Sequence, residues 1–267
     1  MLVRSSPMRV GAVSYLNARP LTFTLDRDTK HWLVRYDTPS ACAALLHRGD
    51  IELGLIPSVD FLQSPDYCLV PGIAVASYGP VVSVALYTSK PVSNLTSVAI
   101  DVSSKTSVAL LKVLCAKHFC IDPVFVPHEP DLSAMVNDND AALVIGDPAL
   151  EAKHDMLGLE KIDLGLEWTH LTKLPFVYAA WTGKRGVISK KDVELLQLAK
   201  TQGITEIDAI AAEYATGDPA MADRASAYLR ENVRYELGSD EISGLQLFLD
   251  YASDVGYGFG RRTLEFY

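Results

Sequence analysis

The chain has 267 residues, 49% of them hydrophobic and 21% charged, a composition typical of a soluble globular protein with one large core or two domains. Its formal net charge of -9 disfavours a nucleic-acid partner, which would require clustered Lys and Arg side chains. Small molecules or other proteins are the expected partners.

The first ten residues, MLVRSSPMRV, contain no apolar run long enough for a secretory signal or a membrane span. We therefore expect a cytoplasmic protein that makes no contact with a membrane. Met8 offers an alternative start, which would make residues 1–7 a dispensable extension.

The first third of the chain alternates between strands and helices. Strands are predicted at 9–14, 32–36 and 51–56, and helices near 19–26 and at 39–48. Pro39 at the start of the second helix and Gly49 just beyond its end are typical boundary residues.

A second unit repeats this order of elements. It has predicted strands at 98–101, 123–126 and 141–146, with helices at 106–118 and near 131–137. Alternation of strands and helices favours mostly parallel sheets covered by helices on both faces. Because crossovers are right-handed, the carboxyl ends of the strands and their loops should share one edge of each sheet.

Two extended segments, VVSVALYT at 81–88 and PFVYAAWT at 175–182, flank the second unit. After Gly186 the pattern is helical, with predicted helices at 189–200, 204–215, 219–231 and 239–254. We therefore predict an α/β protein in which a large discontinuous domain, 1–88 and 180–267, carries an inserted smaller domain, 89–179. A ligand is expected in the cleft between the two domains.

The segment SYLNARP follows the first strand and places Ser14, Tyr15, Asn17 and Arg19 in one turn. Pro20 prevents simple continuation of the strand. The turn should therefore lie at the cleft edge. Packing or solvent exposure would explain Tyr15 and Arg19 nearly as well as contact with a ligand.

A Ser/Thr-rich loop runs directly into the helix predicted at 106–118. Ser104 or Thr106 can cap that helix, and free amide groups near Ser107 would then form a carboxylate site. Plain helix capping explains the same residues. Gly146 and Asp147 end the strand at 141–146, where Asp147 either caps the next helix or pairs with substrate hydroxyls.

Three further residues have both a structural and a functional interpretation. Ser58 ends the strand at 51–56 near the predicted cleft. Ser83 stands in the apolar run 81–88, either as a small core residue or as a partner of the SYLN turn. Phe176, near Trp168 and Tyr178, packs a hinge or forms an aromatic wall for a ring-shaped ligand.

The sequence gives no indication of a cofactor. No GxGxxG or GxxxxGK[ST] motif is present, and the six histidines are scattered without an HExxH pair. The cysteines lack CxxC spacing and are expected to be reduced and structural; they are Cys42, Cys68, Cys115 and Cys120.

Five segments, in this order and spacing, resemble the chorismate dehydratases of the futalosine route to menaquinone (MqnA type). They are GAVSYLNARPL, GPVVSVAL, SSKTSVALL, ALVIGDPAL and DLGLEWTHLTKLPFVYAAW. The resemblance implies the two-domain fold of type II periplasmic binding proteins. It also implies a hydro-lyase that converts chorismate into 3-[(1-carboxyvinyl)oxy]benzoate and water.

The family motifs imply that Asn17 and Ser83 are the functional residues. In this hypothesis they position the ring and hydrogen-bond the departing C4 hydroxyl, while the enolpyruvyl carboxylate of the substrate takes the C3 proton. Ser104, Thr106 and Ser107 would hold one carboxylate, and Arg19 is a candidate for the other. The protein is expected to act without a cofactor, as a monomer or homodimer.

Two alternative functions share the fold. One is a non-enzymatic binding protein for small carboxylates, which would usually carry a secretory signal. The other is the related 1,4-dihydroxy-6-naphthoate synthase. The family resemblance implies that this synthase lacks an SYLN turn at this position. A ligand-sensing regulatory domain would usually need an attached DNA-binding segment.

Overall fold

The computed structural model describes residues 6–258 and 260–267 and contains two five-stranded sheets. Residues 1–5, to which some of the sequence predictions apply, lie outside the described residues. Within the described ranges, no helix combines the length and the apolar character needed to cross a membrane.

The first sheet contains β1 (Met8–Val13), β2 (Trp32–Asp37), β3 (Leu53–Pro57), β4 (Tyr67–Ser77) and β10 (Phe176–Lys184). Their spatial order is β2-β1-β3-β10-β4. β1 pairs in parallel with β2 and β3, whereas β10 runs antiparallel to β3 and β4. The sheet is therefore mixed, with one reversed strand in the fourth position.

The second sheet contains β5 (Val84–Thr88), β6 (Ser97–Asp101), β7 (Val124–His128), β8 (Ala141–Ile145) and β9 (Glu160–Asp163). Its order is β7-β6-β8-β5-β9, in which β5 runs antiparallel to both neighbours. Each sheet thus has the first strand of a βαβαβ unit between the other two, followed by a reversed strand. The repeated order of elements in the sequence corresponds to this repeated arrangement.

The chain crosses between the sheets through the two extended segments. β5 pairs in the second sheet, although its residues end the first part of the predicted large domain. β10 returns the chain to the first sheet beside β3. The domain boundaries at 88/89 and 179/180 stay a prediction.

The helices are α1 (Arg19–Thr22), α2 (Pro39–Arg48), α3 (Lys105–Leu114), α4 (Leu132–Asp138), α5 (Gly146–Glu151), α6 (Leu164–Thr172), α7 (Lys190–Thr205), α8 (Ile207–Ala215), α9 (Pro219–Ala227) and α10 (Ser239–Asp254). α2 has its predicted bounds, while α1 is much shorter than the helix predicted near 19–26. α3 continues into a wider π turn, Cys115–Phe119. α7 to α9 share a core with the first sheet, in which Leu196, Ile210 and Ala225 join Val10 and Leu53.

Candidate active site

A narrow cleft with a cavity volume of about 40 Å³ lies between the ends of the two sheets. Five of the residues proposed from the sequence line it, namely Tyr15, Asn17, Ser104, Ser107 and Gly146. Tyr178 adds an aromatic wall, and none of the described lining residues carries a charge. Any ligand bound here would meet hydroxyls, an amide, backbone groups and apolar surface.

The SYLN turn follows β1 and is held by contacts from the second sheet. Leu16 begins a short 3₁₀ turn, and its amide donates to Asp147 Oδ1 at 3.0 Å. The Tyr15 hydroxyl lies 3.2 Å from Ser103 Oγ. Ser14 is exposed and is not among the residues that line the cleft. The turn therefore presents Tyr15 and Asn17 to the cleft, but not Ser14.

Gly146 allows the second sheet to approach the SYLN turn closely. Its φ of +66° lies in the left-handed region, and a Cβ there would be 2.9 Å from the Tyr15 ring. The Gly146 amide also donates to the Ser83 carbonyl oxygen at 2.8 Å. This glycine thus joins the two segments that carry Asn17 and Ser83.

Ser83 lies immediately before β5, not within a strand as the apolar run suggested. It has no exposed surface, and its Oγ accepts a hydrogen bond of 2.7 Å from the Tyr228 hydroxyl. Burial raises the pKa of Tyr228. Tyr228 therefore contacts Ser83, one of the two residues that the family motifs single out.

The loop before Ser83 has a strained backbone. Val82 has a φ of +69°, which is rare for a β-branched residue. The Asp163 carboxylate accepts the amides of Val81 and Val82 at 3.0 and 2.6 Å. Lys161 Nζ donates to the Val82 carbonyl oxygen at 2.7 Å. These contacts from β9 hold the loop and fix the position of Ser83.

The start of α3 contributes two hydroxyls to the cleft. Ser104 caps the helix by accepting the Ser107 amide, and the two Oγ atoms lie 3.1 Å apart. Thr106 is buried instead, where its Oγ1 accepts the Val59 amide at 3.2 Å. Ser58 is also buried and donates to the Val177 carbonyl oxygen at 2.7 Å. Thr106 and Ser58 therefore link the two halves of the molecule behind the cleft.

Ser83 and Asp147 are not among the residues that line the cleft, and Arg19 and Phe176 lie away from it. Arg19 on α1 pairs with Glu213 at 3.4 Å and lies 5.7 Å from the centre of the Tyr36 ring, because the short helix turns its side chain outward. Phe176 is fully buried and packs edge-on against Trp168, with ring centres 5.3 Å apart. The apolar neighbours of Phe176 explain its burial, and Tyr178 occupies the cleft wall instead.

Sequence reasoning missed three residues that shape this site. Tyr228 lies in the helical C-terminal region, which showed no motif, and contacts Ser83 across 145 positions. Asp163 was noted only as part of the segment DLGLEW, and Tyr178 only as a neighbour of Phe176. An aspartate directly before a helix is a recognisable helix-cap signal. Its hydrogen bonds to the Val81 and Val82 amides depend on the tertiary structure and could not be predicted from the local sequence.

Within the described residues, no group of three or more His, Cys, Asp or Glu could hold a metal ion. The hydrogen-bonding groups that line the cleft are instead the hydroxyls of Tyr15, Ser104, Ser107 and Tyr178 and the amide of Asn17. Such groups suit recognition of carboxylates and hydroxyls.

Asp147 is a titratable group that holds the SYLN turn beside the cleft. Burial raises its pKa to about 6, the nearby Glu151 charge adds to the rise, and the bond from the Leu16 amide opposes it. A carboxyl whose pKa is raised on folding binds a proton more tightly in the folded state. The ionised form therefore destabilises the fold above about pH 6, and this effect disappears as the pH falls towards 4.

We expect Asp147→Asn to increase the free energy of unfolding at pH 7 by about 1–2 kcal/mol, because it removes the buried charge but keeps an acceptor for Leu16. The gain should shrink by pH 5, where the wild-type carboxyl is mostly protonated. Urea unfolding at both pH values measures this difference. Asp223→Asn, at an exposed position of α9, is the control and should show no such change. An equal gain at both pH values for Asp147→Asn would contradict the assignment.

The fold, with a cleft between its two sheets, is shared with solved structures of one class of proteins. The structure resembles the periplasmic aliphatic sulphonate binding protein SsuA of Escherichia coli, with a TM-score of 0.65 and 18% identity over 94% of this chain and 87% of that one. A crystal structure of a protein from Archaeoglobus fulgidus matches with a TM-score of 0.75 and 18% identity, over 95% and 99% of the two chains. The molecule therefore has the fold of periplasmic binding proteins, as the family resemblance implied.

Sequence comparison assigns the family within that fold class. A family model described as menaquinone biosynthesis matches residues 8–254. The chorismate dehydratase of Thermus thermophilus is 30% identical over 261 residues, which cover 91% of this chain and 94% of that protein. The chain belongs to this menaquinone-biosynthesis family, which confirms the resemblance carried by the five segments.

Proposed function

We propose that the protein is a chorismate dehydratase, which removes water from chorismate to give 3-[(1-carboxyvinyl)oxy]benzoate. The observation that carries this proposal is the uncharged cleft lined by Asn17, Ser104 and Ser107, beside which Ser83 is hydrogen-bonded to a buried tyrosine. The near full-length similarity to the Thermus thermophilus enzyme supports the same activity.

The reaction removes the ring C3 proton and the C4 hydroxyl, and the ring becomes aromatic. That driving force reduces the demand for a strong acid or base in the protein. The site needs mainly to hold the substrate and to stabilise the departing hydroxide. In our proposal Asn17 contacts the ring substituents, Ser83 donates to the C4 oxygen, and the enolpyruvyl carboxylate accepts the C3 proton.

The carboxylates of chorismate would be held by neutral donors. Ser104 and Ser107 lie at the start of α3, where the helix dipole favours an anion and two hydroxyls face the cleft. Arg19 is paired with Glu213 on the outside and has no part in this proposal. Closure of the two halves over the substrate would exclude water and strengthen these hydrogen bonds.

The decisive experiment is incubation of the purified protein with chorismate, followed by absorbance and mass analysis of the product. We expect loss of one water and formation of the aromatic enol ether. Heat-inactivated protein provides the control for uncatalysed decay. Tight binding of a small acid without turnover would favour the solute-binding alternative, and formation of a dihydroxynaphthoate from the substrate of the related synthase would favour that enzyme.

The cellular and assembly predictions are separate proposals. A cytoplasmic location fits a biosynthetic role, and fractionation of cells expressing the full chain tests it. The expected monomer or homodimer is tested by light scattering of the purified protein.

A further inference from the structure

The C-terminal helical region contributes a buried hydroxyl to the proposed site. Tyr228 begins a π turn, Tyr228–Asn232, directly after α9. Its side chain is 4% exposed, and its hydroxyl donates to Ser83 Oγ at 2.7 Å. Tyr228 therefore contacts Ser83 of the proposed machinery and, like Ser83, is not among the residues that line the cleft.

We propose that Tyr228 is a positioning residue that orients Ser83 for the dehydration; this inference rests on the proposed function. A serine hydroxyl has one hydrogen and two acceptor lone pairs. Because Ser83 accepts from Tyr228, its own hydrogen remains available for an acceptor on the ligand. A donor that is itself hydrogen-bonded in this way is polarised and donates more strongly.

Burial raises the pKa of Tyr228, so the phenol stays protonated. Tyr228 therefore acts through its hydrogen bond to Ser83, and the role involves no proton transfer.

Replacement of Tyr228 by phenylalanine tests this role, because it removes one oxygen atom and retains the ring. We expect kcat for chorismate to fall by about tenfold or more, with KM changed by less than about twofold. Tyr235→Phe is the matched control. Tyr235 is also buried, and within the described part of the chain its hydroxyl has no hydrogen-bond partner, so the control should keep wild-type kcat.

A double-mutant cycle separates positioning from general damage to the fold. In a Ser83→Ala background, Tyr228→Phe should lower the remaining kcat by less than about twofold, because Tyr228 then has no serine to orient. The inference would be overturned if the fold-reductions in kcat of the two single variants multiply in the double variant. A Tyr228→Phe enzyme with wild-type kcat would also overturn it. A wild-type protein without turnover would instead overturn the proposed function.

A second measurement covers the case in which Tyr228→Phe does not fold. In full-length protein with 13C-labelled tyrosine ζ carbons, the Tyr228 signal should shift in Ser83→Ala. The Tyr235 signal should stay unchanged in this variant. A Tyr228 signal that does not respond to the substitution contradicts the proposed contact.

Discussion

Replacing Asn17 by alanine is expected to lower kcat for chorismate by about 100-fold or more, a loss comparable to removal of one preorganised donor in other enzymes. The side chain lies in the cleft, so its loss removes the substrate contact that we propose. Asn17→Asp should be equally inactive, because it replaces the amide donor with a charge close to the substrate carboxylates. Steady-state kinetics with chorismate measures both variants.

Asn94→Ala is the matched control, since Asn94 is exposed on the turn Val92–Asn94 away from the cleft. It should retain wild-type turnover. The melting temperatures of the Asn17 variants should stay within a few degrees of wild type, because the side chain is only partly buried. Full turnover by either Asn17 variant would remove this residue from the mechanism.

A cleft without charged lining groups is consistent with the chemistry that we propose. The substrate supplies its own base, and the gain of aromaticity supplies the driving force. Neutral donors cost less to bury than cations when no ligand is present. Oriented hydroxyls and amides are then sufficient to select a dicarboxylate, provided that closure excludes water.

Much of the fold was predictable, because its local signals agree with its tertiary structure. Pro39 and Gly49 mark the bounds that α2 has in the structure. The repeated alternation of elements predicted the common arrangement of the two sheets. β4 was missed because Pro71 and Gly72 interrupt a run that the sheet nevertheless accommodates through register shifts with β10. The segments that form the reversed strands β5 and β10 were predicted to be extended. Which sheet each strand joins depends on long-range contacts, which local sequence patterns do not show.

The candidate site was predictable only in part. Tyr15 and Asn17 follow a strand in an unusually polar turn, and the turn faces the cleft. Ser104 and Thr106 have the same local pattern, yet one lines the cleft and the other joins the two halves, because helical geometry turns them to different faces. Tyr228 carries no local signal at all. Its role depends on which side of the first sheet the C-terminal helices cover.

The conformation of the Val81–Ser83 loop leads to a second prediction, on Asp163. A positive φ at a β-branched residue costs on the order of 1–3 kcal/mol and persists only where surrounding contacts impose it. Asp163 supplies such contacts, because Oδ2 accepts the Val82 amide while Oδ1 accepts Val81 and the first amides of α6. One carboxylate therefore caps a helix and holds the loop that carries Ser83.

Asp163→Ala is expected to lower the free energy of unfolding by about 2–4 kcal/mol, because several buried amides lose their acceptor. The loop should relax towards negative φ and displace Ser83, so we expect kcat to fall by about 10–100-fold. Urea unfolding and steady-state kinetics with chorismate measure the two effects.

Asp163→Asn separates the two roles of the carboxylate. Its oxygen can still cap α6, where two helix amides and that of Val81 converge, but its NH₂ group then faces the Val82 amide as a second donor. Stability should largely recover, while kcat stays low. Asp131→Asn, which alters the cap of α4 without contact to the loop, is the control and should keep wild-type kcat. Asp163→Asn could instead regain both stability and full activity. In that case the hydrogen bond to the Val82 amide does not position Ser83, and Asp163 acts only as the cap of α6.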